Sequence, residues 1–113
     1  RDTEIINFQA TDDLEILCIA PHQIDKVVAE IDFFHNAHSF VEMPEGVISN
    51  YAKKIEAIMT KTNSAISMVS YDGFDLNTTI NPDKLPTFFN KTAEKFCIPT
   101  LRPNRSHFHY VIQ

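Results

Sequence analysis

The sequence contains few of the residues that special backbone conformations and redox chemistry require. Its 113 residues include two glycines, two cysteines and no tryptophan. With two glycines, the glycine-rich loops that cradle phosphate groups are absent, and a doubly wound nucleotide-binding sheet is disfavoured. The longest apolar runs extend over only a few residues, as at residues 16–20, so no segment predicts a membrane span.

Positive charge is also scarce. Ten Lys and Arg residues against 15 Asp and Glu residues give a formal charge of −5. A broad basic face is therefore not expected, and nucleic acid is disfavoured as a partner. Protonation of all five histidines would bring the formal charge from −5 to zero. We therefore predict that self-association, partner binding or stability changes between about pH 7 and pH 5. The alternative is five independent surface histidines whose protonation has no shared consequence.

The length and the apolar content predict a single domain over residues 1–113 with a substantial core. Apolar periodicity predicts helices at residues 24–34, from Pro44 through Met59, and from Asp83 to Phe96. The sequence Asn81-Pro82-Asp83 is typical of a helix start and predicts where the third of these begins. Asp72-Gly73 is typical of a type I′ turn and predicts a hairpin between Ala65–Tyr71 and residues 74–80. Further strands are predicted at residues 4–8, 14–20, 39–43 and 107–113. The order of these elements predicts an α+β fold with a single sheet of about four to six mostly antiparallel strands and three helices mainly on one face.

Cys18 and Cys97 are the two cysteines, and neither has a second cysteine at CxxC or zinc-ligand spacing. An even cysteine count without such spacing favours a disulfide between them, which would indicate an oxidising compartment. The alternative is two buried free thiols that pack as small apolar groups. The sequence begins at Arg1 and carries Asn-x-Ser/Thr sites at Asn77, Asn90 and Asn104, which favours an extracytoplasmic (periplasmic or secreted) location, with a cytoplasmic one as the alternative.

Two histidine pairs form the candidate metal site. His35 and His38 are three residues apart, and His107 and His109 lie at i, i+2 on one face of the last predicted strand. If the pairs converged, four imidazoles could bind Zn²⁺ or Cu²⁺. The alternative is a pair of solvated histidines at a helix end and a polar strand face.

The basic residues concentrate near the end of the third predicted helix. Lys95, Arg102 and Arg105 lie around a loop that Pro99 and Pro103 would stiffen, so we predict a binding site for a small anion or an acidic partner. No nucleophile elbow or paired catalytic carboxylates occur outside turn sequences, so no catalytic residue and no cofactor are predicted.

These observations favour a non-enzymatic binding or regulatory domain that recognises a protein partner or a small ligand. The extracytoplasmic part of a membrane-linked sensor, or its accessory subunit, is one such domain. Two alternatives stay open: a cytoplasmic inhibitor or immunity-type protein, and a small metal-dependent hydrolase that uses the histidine pairs.

Overall fold

The computed structural model describes residues 4–71, 80–98 and 107–113. Within these ranges the strands form one sheet with the spatial order β1-β2-β4-β3. The first two strands pair in parallel, and the other two pairings are antiparallel. This mixed sheet and its helices confirm the predicted α+β class. The strands are β1 (Phe33–Ala37), β2 (Ala65–Tyr71), β3 (Ala93–Ile98) and β4 (His107–Ile112).

Helix α1 (Glu45–Ile58) connects β1 to β2. A parallel pair of strands needs a crossover connection, and α1 provides it. The helix begins after Pro44 and has Glu45 in its first turn, as the sequence predicts. Its residues Ile48, Ala52 and Ile55 are spaced by three and four positions and are buried against the sheet.

The core lies between α1 and one face of the sheet. Strand alternation places Ile66 and Met68 of β2, and Tyr110 and Ile112 of β4, on this face. The same alternation in β4 places Phe108 against the core. The buried core cluster comprises Phe40, Ile48, Ala52, Ile55, Met59, Ile66, Met68, Leu85, Phe89, Tyr110 and Ile112.

Three short 3₁₀ helices complete the described regular structure: η1 (Pro21–Lys26), η2 (Phe40–Glu42) and η3 (Pro82–Phe88). The predicted start of the third helix is confirmed, because the Asn81 side chain accepts a hydrogen bond from the Asp83 backbone N–H at 3.0 Å. Its predicted length is wrong. The chain leaves the helix at Phe89 and pairs as β3, where backbone pairing with β4 replaces the helical hydrogen bonds.

The predicted amphipathic helix at residues 24–34 is wrong. The 3₁₀ helix η1 ends at Lys26, and Phe34 already lies in β1, where it pairs with Ile66. Ile24, Ile31 and Phe34 nevertheless pack against the core. The apolar spacing therefore identified residues that turn inward, but parallel pairing with β2 determined the backbone conformation at Phe34.

Three predicted strands are also absent or replaced. Residues 14–20 make no strand in the structure, and residues 4–8 contribute only the isolated bridge between Ile6 and Val27. Residues 39–43 contain η2, with Phe40 and Val41 buried. An apolar alternation predicts a strand only if a neighbouring strand is available to pair with it.

The predicted hairpin between Ala65–Tyr71 and residues 74–80 stays a prediction. Among the described residues, β2 pairs with β1 and with β4, which occupy its two edges between Ile66 and Val69. The Asp72-Gly73 turn and residues 74–79 lie outside the described residues.

Candidate binding face

The sheet has a second face, opposite the core, that carries a row of interacting side chains. Alternation along the strands places Phe33 and His35 of β1, Ser67 of β2, His109 of β4 and Phe96 of β3 on this face. These five residues form one continuous line across all four strands. We call them the cross-strand strip.

Ser67 is at the centre of the strip and contacts an imidazole on each side. His35 lies directly opposite Ser67 in the parallel register, and its Nδ1 is 3.1 Å from Ser67 Oγ. His109 of β4 pairs with Val69 and is therefore the diagonal neighbour of Ser67, and its Nε2 is 2.7 Å from the same oxygen. Diagonal neighbours in a sheet are within reach of a long side chain, so both contacts follow from the register.

A phenyl ring lies beside each imidazole, stacked on His35 and tilted by 45° against His109. Phe33 is two residues before His35 on the same strand, and their ring centroids are 6.5 Å apart with an interplanar angle of 7°. Phe96 lies opposite His109 in register, with ring centroids 6.2 Å apart. The two phenyl rings remain 60% and 49% exposed, respectively. The strip is therefore polar and hydrogen-bonded in the middle and apolar at both ends.

The hydrogen bonds of the strip can be satisfied with both histidines neutral. Ser67 can donate its hydroxyl hydrogen to one imidazole nitrogen and accept an N–H from the other. If both imidazoles carry a proton on the contacting nitrogen, both donate to Ser67 Oγ, and the serine hydrogen needs another acceptor. Protonation therefore changes the pattern of donors that the strip presents.

The histidines predicted to bind metal are only partly brought together. His35 and His109 share Ser67, whereas the His38 ring stacks with Tyr71 at 5.4 Å. His38 has a positive φ of 68° at the end of β1. His107 lies opposite Tyr71 in β4, and its side chain lies outside the described residues.

Among the described residues, no group of three or more His, Cys, Asp or Glu side chains could hold a metal ion. Two imidazoles alone leave a tetrahedral ion with half of its ligands, and an octahedral ion with most of its ligands, to be supplied from elsewhere. The four-histidine metal site stays a prediction, with His35 and His109 as the two members that the strip places together.

The predicted disulfide is wrong. Cys18 and Cys97 are both free and both exposed, on the segment before η1 and on β3 respectively. The alternative of two buried thiols is wrong as well, because the apolar strand that was expected to bury Cys18 does not form.

Lys95, from the predicted anion site, is held by a local network. Its Nζ donates to Asp83 at 2.6 Å and lies 4.0 Å from the centroid of the Phe108 ring. The Tyr110 hydroxyl donates to the same Asp83 oxygen at 2.8 Å. The hydrogen bonds from Lys95 and from Tyr110 lower the pKa of Asp83 below its usual value. Arg102 and Arg105 lie outside the described residues.

A groove of about 540 Å³ lies between η1 and α1. It is bounded by Ile24, Val47 and Tyr51, with the Lys54–Asp25 ion pair at its rim. No predicted site residue lines it. The groove lies beside α1, which packs on the core face of the sheet, whereas the strip lies on the opposite face.

Sequence reasoning missed Ser67, Phe33 and Phe96. Ser67 alternates with the buried residues Ile66 and Met68, which is the signal that places it on the other face of β2. The apolar spacing predicts that Phe33 ends one helix and that Phe96 ends another. It therefore does not predict that the two rings lie beside the imidazoles of a sheet.

No family model, curated protein or solved structure matches the chain. Among the described residues, no helix has both the length and the apolar character needed to cross a membrane. Function is therefore inferred from the geometry of the sheet face.

Proposed function

We propose that this protein is a non-enzymatic binding domain that recognises a protein partner through the cross-strand strip. The observation that supports this most strongly is the pair of exposed phenyl rings, Phe33 and Phe96, at the two ends of a hydrogen-bonded centre. Aromatic residues are enriched in protein interfaces and supply much of their binding energy. The matching partner surface is apolar where it meets the rings and polar where it meets the imidazoles.

The burial of Ser67 argues against a serine nucleophile at this face, and the metal-dependent hydrolase that uses the histidine pairs stays an alternative. A serine hydroxyl beside an imidazole is also the arrangement of a serine nucleophile and its base. Ser67 is only 7% exposed at the middle of the sheet, whereas a nucleophile must be reached by its substrate. The two phenyl rings, by contrast, are accessible and suited to contact with another surface.

A regulatory role and an extracytoplasmic setting, as in a sensor or its accessory subunit, remain part of this proposal. The setting loses the support of the predicted disulfide, because the two cysteines are free. The cytoplasmic inhibitor alternative would use the same face, and the identity of the partner distinguishes the two.

The experiment combines capture with a matched pair of variants. A photo-crosslinking residue at position 96 should capture a partner that the same residue at position 47 does not. The captured protein is then purified, and its affinity is measured by calorimetry for the unmodified chain, for Phe33→Ser/Phe96→Ser and for the control Val28→Ser/Val47→Ser. The control residues have similar exposure, 60% and 41%, and neither belongs to the strip: Val47 lines the groove between η1 and α1, and the Val28 N–H donates to the Ile6 carbonyl.

We expect the phenylalanine variant to weaken binding by at least about tenfold, as loss of an aromatic interface residue usually does. The valine control should bind like the unmodified chain. Equal affinity of all three proteins would contradict the proposed use of the strip.

A further inference from the structure

The segment of residues 14–20, which we call the arm, has a strand sequence and no strand partner in the described structure. It reads Leu-Glu-Ile-Leu-Cys-Ile-Ala, a run rich in residues that favour or tolerate extended structure. Leu14 and Ile16 are 90% and 79% exposed, and Cys18 between them and η1 is exposed too. Leaving so much apolar surface in water is unfavourable, so the arm is suited to pairing with another strand.

The sheet offers an edge for such pairing. β3 is at one end of the strand order, and among the described residues it pairs only with β4. The outer edge of an end strand presents backbone N–H and C=O groups that can bond an added strand. An added strand here would extend the sheet from four strands to five.

The side chains of the arm and of β3 match in charge and in polarity. If Glu15 lies opposite Lys95, both fall on the core-side face of the extended sheet, and opposite charges at such positions stabilise the pairing. The alternation then places Leu14 and Ile16 on the other face, beside the exposed ring of Phe96. This assignment of faces is the same for a parallel and an antiparallel arrangement.

The arm cannot reach β3 of its own chain. Ala20 is tied to η1 by a 2.7 Å hydrogen bond from its N–H to Gln23 Oε1, and Pro21 follows it directly. Pro21 lines a groove together with Phe34 of β1, at the edge of the sheet opposite β3. A strand added outside β3 would lie four strand spacings, about 19 Å, from β1. An extended chain spans about 3.3 Å per residue, so the arm would be used up in crossing the sheet and could not also pair along β3.

We therefore propose that the arm of one molecule adds as a strand to the β3 edge of a second copy of this chain. Within the described part of the chain, the arm has no strand to pair with, and the outer edge of β3 has no neighbouring strand. The proposed pairing gives each of them its partner. The inference uses the arm and the edge of β3, and it shares with the proposed partner site only the ring of Phe96, beside which Leu14 and Ile16 of the second copy would lie. Ile16→Asp changes the arm and leaves the cross-strand strip intact, so it tests this inference separately.

The first test measures the molar mass by sedimentation over about a 100-fold range of concentration, because the fraction of dimer follows mass action. We expect reversible association of the unmodified chain. Ile16→Asp should weaken it by at least about tenfold in Kd, whereas Val28→Asp, at a similarly exposed apolar position, should leave it unchanged. Thermal melts check that both variants are folded.

The second test exchanges the proposed charge pair. Glu15→Lys and Lys95→Glu should each associate less than the unmodified chain. An equimolar mixture of the two should regain association, since the lysine introduced in one variant then faces the glutamate introduced in the other. Lys95 also pairs with Asp83, and Glu15 also accepts a hydrogen bond from the Gln9 N–H. A single variant loses these contacts as well, so its weaker association alone does not test the charge pair. The gain in association on mixing does.

Three results would each overturn the proposal. The first is a monomer at every concentration of the unmodified chain. The second is an association that Ile16→Asp leaves unchanged. The third is a mixture of the two charge variants that associates no better than its components.

Discussion

At the scale of single residues, the two faces of β2 show how differently a serine can be accommodated. Ser67 faces away from the core and contacts two imidazoles. Ser70 faces the core, is 1% exposed, and its hydroxyl has no hydrogen-bond partner among the described residues. A buried hydroxyl without a partner loses its bonds to water on folding and gains nothing in return.

Ser70→Ala should therefore raise the free energy of unfolding, by about 1 kcal/mol. The change removes the hydroxyl and keeps Cβ, so little cavity is created. Ser67→Ala is the matched control and should not stabilise, because it removes a hydroxyl that is bonded. Urea unfolding of the two variants measures both effects, and a Ser70→Ala variant less stable than the unmodified chain would show that the hydroxyl is satisfied.

Asp83 gives a pH dependence at the same scale. Its pKa is lowered from 3.8 by hydrogen bonds from Lys95 and from Tyr110. A group with a lowered pKa in the folded state contributes stability above its unfolded pKa and loses it as the pH falls through the folded value. Asp83→Asn should thus melt lower than the unmodified chain near neutral pH, and the difference should shrink as the pH falls below about 4.

Asp32→Asn is the control for that experiment. Asp32 pairs with Lys61 at 2.9 Å, and both side chains are largely exposed. The Lys95–Asp83 pair is also largely exposed, so neither ion pair alone contributes much to stability. Asp83 also accepts a hydrogen bond from the Tyr110 hydroxyl, so its loss should lower the melting temperature more than the loss of Asp32 does. A difference for Asp83→Asn that stays constant through the acid range would contradict the role of the carboxylate.

At the scale of elements, α1 combines two kinds of apolar residue. Ile48 is fully buried against the sheet, while its neighbour Val47 is exposed at the η1 groove. Helical periodicity explains the difference, because adjacent residues point about 100° apart around the helix axis. The stripe of buried residues is what holds α1 to the sheet.

Ile48→Ala should cost about 2–5 kcal/mol of stability through lost burial and the cavity that remains. Val47→Ala should change stability by less than about 0.5 kcal/mol, as exposed substitutions usually do. Chemical denaturation measures both. Similar costs for the two variants would contradict the face that α1 presents to the core.

At the scale of the whole molecule, protonation of the histidines would change the net charge. The formal charge is −5 with neutral histidines, and it reaches zero if all five are protonated. Two of the five contact Ser67 from either side, so protonation alters both the net charge and the donors on the candidate binding face. Reduced self-repulsion favours association.

We expect sedimentation and thermal melts to differ between about pH 7 and pH 5, the range in which imidazoles ordinarily take up protons. The double variant His35→Gln/His109→Gln separates the two causes. If the strip is responsible, the variant should lose most of the pH response, and if net charge is responsible, it should lose about two fifths of it. Superimposable curves for the unmodified chain at both pH values would contradict the expected response.

The sequence by itself determined the elements whose signals are local. Pro44 and the stripe that includes Ile48 predicted α1, Asn81 predicted the start of η3, and alternation predicted β2 and β4. These signals are sufficient because capping, helical periodicity and strand alternation each involve residues close in sequence. The α+β class follows from them without knowledge of the pairing.

Only the tertiary structure decided the elements that depend on a distant partner. Phe34 and Phe96 fit helical spacing, yet both lie in strands, because β2 and β4 offer them backbone hydrogen bonds. The arm has a sequence more typical of a strand than β1 or β3 has, yet it forms no strand, because no described strand lies beside it. The cross-strand strip depends on the same pairing: Ser67 meets His35 and His109 only through the register of three strands, which no local pattern encodes.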